Sequence, residues 1–184
     1  MRRGKLILLL GISGAGKTTT GLAVARATPV TYLYAVTEKL ELVRPGETLN
    51  LLDQARTYEV NGQFFAKVLT QPGALLVDTH ATYPVGGAFV NLTPAGACPG
   101  IGGMVFLEAD PATIRARRLA RGRASEATEL GMIEREAVAE RAEVERLSRL
   151  GRIPTCRIDT AAVPLEEAVR LAIAFVESVD WQAR

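Results

Sequence analysis

The chain has 184 residues, 48% of them hydrophobic, and a formal net charge of +2 at pH 7. This length suits one domain with one core, and the hydrophobic share excludes a disordered chain. The small net charge does not support general nucleic-acid binding, and no apolar run approaches the length of a membrane span. The two cysteines, Cys98 and Cys156, are far apart and predict reduced thiols in a cytoplasmic protein.

The first predicted strand, residues 5–10, leads into a stretch that fits G-x-x-x-x-G-K-S/T, the phosphate-binding loop of nucleoside-triphosphate enzymes. The glycines allow backbone N–H groups to approach an anion, and the helix that follows, residues 18–27, points its positive end at the same place. Lys17 would bridge the β- and γ-phosphates of ATP, and Thr18 would bind Mg²⁺. The residues predicted to bind the nucleotide are Gly11, Ile12, Ser13, Gly14, Ala15, Gly16, Lys17, Thr18 and Thr19.

The rest of the chain alternates between short apolar runs and longer amphipathic stretches. Further strands are predicted at residues 30–34, 74–78, 104–107 and 155–159. Further helices are predicted at residues 49–69, 112–121, 132–150 and 164–179. This alternation predicts an α/β fold in one domain, residues 1–184, with a five-stranded parallel sheet flanked by helices.

The third predicted strand ends in Asp78, at the edge of the sheet where ligands bind, and this carboxylate is predicted to orient Mg²⁺. Residues 79–103 are poor in charge and rich in Gly and Pro. We expect them to form a long loop that contributes to the site. His80, the only histidine in the sequence, is predicted to hold a hydrogen bond near the site, because a phosphate acceptor is already an anion and needs no general base.

Residues 111–124 are rich in arginine and contain no acidic residue. A solvated helix face is one interpretation of such a segment. The neighbouring Gly122 favours another, a mobile lid, because phosphoryl transfer uses cations that close over the transferring group and exclude water. The predicted lid covers about residues 119–131.

Residues 77–81, Val-Asp-Thr-His-Ala, make the interpretation more specific. Together with the Gly/Pro-rich stretch that follows and with residues 104–119, they resemble the archaeal-type adenylate kinases. The resemblance is strong over residues 9–18, 75–81 and 104–119 and weak over residues 30–70. It implies a P-loop nucleoside monophosphate kinase fold with a short lid, the reaction ATP + AMP ⇌ 2 ADP with Mg²⁺, and commonly a homotrimer.

The resemblance also implies roles for individual residues. Arg117 matches the arginine on the helix that enters the lid, Arg121 and Arg123 match the lid pair, and Arg141 matches the arginine on the helix after the lid. Arg44 and Arg56 fall where the AMP-binding segment, about residues 35–69, should carry a phosphate ligand, although the arginine patch expected there is reduced to these two residues. The residues predicted to act in catalysis are Lys17, Arg117, Arg121, Arg123 and Arg141; those predicted to bind the substrate are Arg44, Arg56, Asp78 and His80; those predicted to bind the metal are Thr18 and Asp78.

The sequence thus predicts a cytoplasmic adenylate kinase whose core comprises residues 1–34, 70–118 and 150–184. Two alternatives stay open. One is another small-molecule kinase of the same fold, acting on a different nucleoside monophosphate, on shikimate or on a sugar. An alcohol acceptor needs a carboxylate base, and Asp78 is a candidate for it. The other is an adenylate-kinase-like ATPase with a role in RNA processing, which the small net charge disfavours.

Overall fold

The computed structural model describes residues 6–123 and 126–179. Residues 1–5, 124–125 and 180–184, which include both ends of the predicted core and part of the predicted lid, lie outside the described residues. The strands are β1 (Leu6–Leu10), β2 (Thr31–Tyr34), β3 (Leu75–Asp78), β4 (Thr82–Val85), β5 (Ala88–Asn91), β6 (Ile101–Glu108) and β7 (Thr155–Asp159). The α-helices are α1 (Lys17–Ala27), α2 (Ala35–Leu40), α3 (Gln54–Thr70), α4 (Pro111–Arg121), α5 (Leu130–Gly151) and α6 (Leu165–Ser178).

Within the described part of the chain, five strands form one parallel sheet in the order β2-β3-β1-β6-β7. The central strand β1 is apolar and buried along its whole length, because both of its faces are covered. Alternate residues point to opposite faces: Leu8 packs toward Phe64 and Leu147, and Ile7 packs toward Val24 and Ala172. This confirms the predicted five-stranded parallel sheet flanked by helices.

Local signals account for the ends of the helices beside the site. Asp110 caps α4, since its Oδ1 accepts the Thr113 N–H at 2.9 Å, and Pro111 follows as the first helical residue. Gly122 ends the same helix in the left-handed conformation, with φ of 64°. Asp53 caps α3 in the same way as Asp110 caps α4. The helix α3 then continues without a break past residues 61–62.

The prediction of a long loop over residues 79–103 is wrong. This segment contains the antiparallel hairpin β4–β5 and a 3₁₀ helix, Ala95–Gly100, and β6 begins at residue 101 rather than 104. Gly86 and Gly87 form the hairpin turn with positive φ values of 58° and 87°. Gly103 has a different reason to be glycine: an added Cβ would lie 2.9 Å from the Phe175 ring. These glycines therefore belong to a hairpin and a buried strand.

None of the helices in residues 6–123 and 126–179 combines the length and the apolar character needed to cross a membrane.

The helix α2 lies in a stretch for which the sequence pattern predicted neither a helix nor a strand. Together with α3, α2 forms the wall on one side of the site, and the two helices are in contact with each other.

Candidate active site

A cavity of about 380 Å³ opens at the carboxyl ends of β1, β2 and β3, where parallel sheets bind ligands. One end of the cavity is lined by the phosphate-binding loop (residues 11–18). The other end is lined by α2, α3 and the hairpin β4–β5. The cavity therefore joins a phosphate-binding end to a second compartment, which we call the acceptor compartment and which Lys39, Leu52, Thr57, Val60 and Asn61 line in part.

The phosphate-binding loop has the expected geometry. Gly14 and Gly16 have φ values of 98° and 95°, which L side chains rarely adopt. A Cβ on Gly11 would lie 2.4 Å from the carbonyl oxygen of Leu107, so only glycine fits there. Lys17 begins α1, and its Nζ lies across the loop and donates to the Gly11 carbonyl at 2.6 Å. The loop thus presents an ammonium group and a helix N-terminus to the same point.

The side chains of Thr18 and Asp78 lie together as predicted. The Thr18 hydroxyl donates to Asp78 Oδ2 at 2.9 Å, and the Tyr32 hydroxyl donates to the same oxygen at 2.7 Å. Burial raises the pKa of Tyr32, and its bond to Asp78 raises it further. Asp78 Oδ1 is buried and has no hydrogen-bond partner among the described residues. A hydroxyl, a carboxylate and an unused carboxylate oxygen beside a phosphate loop suit Mg²⁺, which prefers hard oxygen ligands.

On α4 the structure brings Arg118, rather than the predicted Arg117, into the cavity. Arg118 is only 2% exposed and donates to the carbonyls of Ser13 at 2.9 Å and Ala127 at 2.8 Å. Arg117 lies on the neighbouring helix face and binds the loop from outside, through the Gly14 carbonyl at 3.1 Å and Thr160. Arg118 was not among the predicted site residues. It lies four residues after Ile114, so the two side chains share the buried face of α4.

The two predicted lid arginines, Arg121 and Arg123, lie beside the phosphate-binding loop. Both contact Glu126, a residue that was not predicted to belong to the site. Arg121 donates to Ser13 Oγ at 3.2 Å and to Glu126 at 2.9 Å, and Arg123 lies 3.7 Å from Glu126. The Ser13 hydroxyl donates to Glu126 at 2.6 Å. The Glu126 carboxylate therefore occupies the charged centre between the loop and the lid arginines.

Three further arginines that were predicted to contact substrate phosphates do not line the cavity. Arg141 forms an ion pair with Glu108 at 2.7 Å. Arg56 is enclosed by Glu47 at 3.0 Å and Glu59 at 2.9 Å. Arg44 is 67% exposed and lies 3.7 Å from Glu59. In place of the predicted phosphate contacts, each of these guanidinium groups has a carboxylate partner outside the cavity.

Glu140 on α5 is a buried carboxylate that the sequence analysis did not identify. It is 1% exposed and accepts the N–H groups of Gly11 at 3.1 Å, Ala81 at 2.8 Å and Thr82 at 2.8 Å. Burial raises its pKa, and the N–H group of Ala81 and the charge of Lys17 oppose that rise. The carboxylate ties the start of the phosphate-binding loop to the segment after β3. Periodicity could have found it, because the α5 residues buried on the same face are Ile133, Val144 and Leu147.

The acceptor compartment contains a second cation that was not predicted. Lys39 is 6% exposed and lines the cavity, and its Nζ lies 5.0 Å from the centre of the Phe64 ring. Burial lowers its pKa to about 8. No hydrogen bond or ion pair within the described residues holds this Nζ.

His80 also lines this cavity. Burial lowers its pKa well below 6.5, and the positive charges of Lys17, Lys39 and Arg118 lower it further. The imidazole is therefore neutral near pH 7. A neutral imidazole offers one donor and one acceptor, which suits the predicted hydrogen-bonding role.

Comparison with protein-family models and with curated protein sequences gives no match. Solved structures match along most of the chain. A gluconokinase from Sinorhizobium meliloti 1021 has a TM-score of 0.57 at 20% identity, covering 96% of this chain and 94% of that chain. A shikimate kinase from Acinetobacter baumannii in complex with shikimate has a TM-score of 0.63 at 18% identity, covering 95% and 93%. The YorR protein from Bacillus subtilis in complex with phosphorylated GDP has a TM-score of 0.64 at 17% identity, covering 94% and 95%.

At identities of 20% or less, this likeness establishes the fold and leaves the substrate open. These neighbours do not specifically support the narrower resemblance to archaeal-type adenylate kinases. The chain has the fold of the P-loop kinases, a five-stranded parallel sheet flanked by helices.

Proposed function

We propose that this protein is an ATP-dependent phosphotransferase that passes the γ-phosphoryl group of Mg-ATP to a small molecule bound in the acceptor compartment. The observation that carries the proposal is the contact of 2.9 Å between the Thr18 hydroxyl and Asp78, directly beside the phosphate-binding loop. A hydroxyl and a carboxylate at this position are the metal ligands of P-loop enzymes. The same cavity continues into a second compartment, as a two-substrate enzyme requires.

Each residue has a distinct role in this proposal. Lys17 and the N–H groups of the loop hold the β- and γ-phosphates, and Thr18 and Asp78 hold the metal. Bound Mg²⁺ would neutralise charge that develops on the phosphate oxygens. Arg121 faces the loop from α4 and stabilises the transferring phosphoryl group, with Arg123 close by in the lid. Arg118 positions the loop through its bond to the Ser13 carbonyl.

The narrower proposal is adenylate kinase, with AMP as the acceptor. The phosphate-binding loop, the Asp-Thr-His segment after β3 and the arginine-bearing lid support it. The structure of the YorR protein in complex with phosphorylated GDP supports a nucleotide acceptor in a protein of this fold. However, Arg44 and Arg56, the predicted AMP phosphate ligands, are in ion pairs outside the cavity.

The second candidate is a kinase for a small alcohol, and the charge of the acceptor compartment favours it. Among the described residues, the arginines that line the cavity are Arg118, Arg121 and Arg123, all on the lid side. Lys39 lies on α2, and its ammonium group faces Phe64 on α3. A single ammonium group suits a singly charged acceptor better than a phosphate dianion. A gluconokinase and a shikimate kinase are among the similar structures. An alcohol needs a base, and the unpaired oxygen of Asp78 can accept its proton.

The test is a coupled assay for ADP formation by the wild-type protein and by Lys17→Ala. Each protein is mixed with Mg-ATP and either AMP, shikimate or D-gluconate. We expect turnover with one acceptor, and a loss of about 10²- to 10⁵-fold in Lys17→Ala, comparable to the loss of an arginine finger or an oxyanion donor. Unchanged turnover in Lys17→Ala would remove the phosphate-binding loop from the proposal.

The cytoplasmic location and the homotrimer stay predictions. ATP, AMP and ADP, with Mg²⁺, stay the predicted nucleotide partners. Light scattering of the purified protein measures the assembly directly, and a trimer would triple the chain mass of 19.7 kDa.

A further inference from the structure

Within residues 6–123 and 126–179, the Lys39 ammonium group in the acceptor compartment is buried and has no counter-ion. The acids nearest to it in sequence point elsewhere, because Glu38 and Glu41 both pair with Lys67 on α3, each at 2.8 Å. The contact with the Phe64 ring offsets only part of the cost of removing an ammonium group from water. The buried Lys39 therefore lowers the stability of the ligand-free protein. A buried, unpaired lysine is rare in proteins, and residues that lower stability are common at binding sites.

A second polar group in the compartment is also unsatisfied. The Nδ2 of Asn61 donates to the Thr57 carbonyl at 2.7 Å, while its Oδ1 is buried and has no hydrogen-bond partner in the described part of the chain. Both residues line the cavity beside Lys39. Leu52 and Val60 complete this part of the wall with apolar surface. The compartment thus offers a buried ammonium group and a buried amide oxygen beside the apolar surface of Leu52 and Val60.

We propose that Lys39 binds the carboxylate of a small hydroxy acid, which is the phosphoryl acceptor of this enzyme. This inference rests on the proposed function and names its substrate class. One ammonium group matches one carboxylate, whereas several cations, Lys17 and Arg121 among them, lie at the phosphate-binding loop. Asn61 accepts a hydrogen bond from a second hydroxyl of the acceptor, and the reacting hydroxyl faces the phosphate-binding loop at the other end of the cavity.

The proposed reaction needs only the acceptor, Mg-ATP and the side chain of Asp78. The hydroxyl oxygen of the acid forms a bond to the γ-phosphorus, and the bond from the γ-phosphorus to the β–γ bridging oxygen breaks. The proton of the hydroxyl passes to Oδ1 of Asp78, the oxygen without a partner among the described residues, while Oδ2 stays beside Thr18 for the metal. The products are ADP and the phosphate ester of the hydroxy acid.

The experiment compares the wild-type protein with Lys39→Met and with a matched control, Lys67→Met, in thermal denaturation. Without ligand, we expect Lys39→Met to melt about 2–8 °C above the wild type, because an uncompensated buried charge is removed. Sodium shikimate or sodium D-gluconate should raise the melting temperature of the wild type and of Lys67→Met. In Lys39→Met the same shift should need about 10- to 100-fold more acid. The methyl ester of shikimate, which has no carboxylate, should not raise the melting temperature of the wild type or of either variant.

Three outcomes would overturn the proposal: Lys39→Met melting below the wild type, neither acid stabilising the wild type, or equal stabilisation of the wild type and Lys39→Met. Parallel ADP assays separate this inference from the proposed function. Acid binding through Lys39 without ADP formation with any acceptor would keep Lys39 as a carboxylate-binding residue, but it would overturn both the proposed kinase and the role of the acid as its acceptor. Phosphoryl transfer to AMP with equal turnover in Lys39→Met would keep the kinase and remove the inference.

Discussion

The buried charged side chains around the cavity differ in how fully they are paired. The Glu140 carboxylate accepts bonds from three backbone N–H groups, and the Arg118 guanidinium donates to two carbonyls and to Glu136. In the described part of the chain, the Lys39 ammonium group contacts only the face of the Phe64 ring. Burial of a charge without a partner lowers the free energy of unfolding. Glu140 and Arg118, which are paired, therefore stabilise the site, whereas we expect Lys39 to bind a ligand.

The lowered pKa of Lys39 predicts how the stability of the ligand-free protein depends on pH. The pKa is about 8 in the folded protein and near 10.5 in the unfolded chain, so between these values the unfolded chain binds more protons. The free energy of unfolding therefore rises with pH across this window, by up to about 3 kcal/mol for this group. Lys39→Met should lack this contribution.

The measurement is urea unfolding of both proteins at pH 7.5 and pH 10. We expect the stability advantage of Lys39→Met to shrink as the pH rises. The other ionisable groups that line the cavity, including Lys17, Asp78, His80 and Tyr83, are common to both proteins. The Lys39 charge helps to lower the pKa of His80, but this imidazole is neutral over the pH range of the comparison. A stability difference that stays constant over this range would show that Lys39 does not have a lowered pKa.

At the scale of elements, the lid and the phosphate-binding loop are joined by one acid. Glu126 accepts the Ser13 hydroxyl and pairs with Arg121, next to the place where phosphates are expected. We predict that Glu126→Gln lowers the KM for ATP about 2- to 10-fold, because a negative charge beside the phosphates is removed and Arg121 is released. Steady-state kinetics with varied Mg-ATP measures this, with the exposed Glu129→Gln as control. A raised KM in Glu126→Gln would show that the acid supports nucleotide binding.

The helix α5 is fixed to the phosphate-binding loop through Glu140. In Glu140→Gln one side-chain oxygen can still accept N–H groups, but the amide nitrogen then faces the Thr82 N–H and leaves it without an acceptor. We predict a loss of about 1–3 kcal/mol in the free energy of unfolding, measured by chemical denaturation. Glu134→Gln, an exposed change on the same helix, should be neutral. Equal stability of the two variants would mean that the buried carboxylate is dispensable.

For the whole molecule, the sheet and the phosphate-binding loop could be predicted because their signals are local. The loop glycines, Lys17 and Thr18 form one continuous motif, and Asp78 ends an apolar strand. Which face of α4 and of α5 is buried was harder to predict, because arginines and glutamates surround Arg118 and Glu140 in the sequence. Helical spacing from buried neighbours would have found both residues.

The acceptor compartment could not be predicted, because it depends on contacts between distant segments. Lys39 becomes buried only when α2 packs against α3, and the hairpin β4–β5 lies in a stretch whose glycines predicted a loop. The resemblance to a known family was weak over residues 30–70, and there the predicted ligands Arg44 and Arg56 pair with Glu59 instead. In the proposed function, the choice of acceptor depends on this least predictable part of the chain.

The central claim, that one cavity holds Mg-ATP and a small acceptor for phosphoryl transfer, is tested most directly by ³¹P NMR of the wild-type protein with Mg-ATP and each candidate acceptor. The account predicts that the γ-phosphate resonance of ATP declines while the resonances of ADP and a phosphorylated acceptor grow together. Asp78→Asn should slow this conversion by about 10²-fold or more. ATP that stays unchanged, or that yields only free phosphate with every acceptor, would contradict the account.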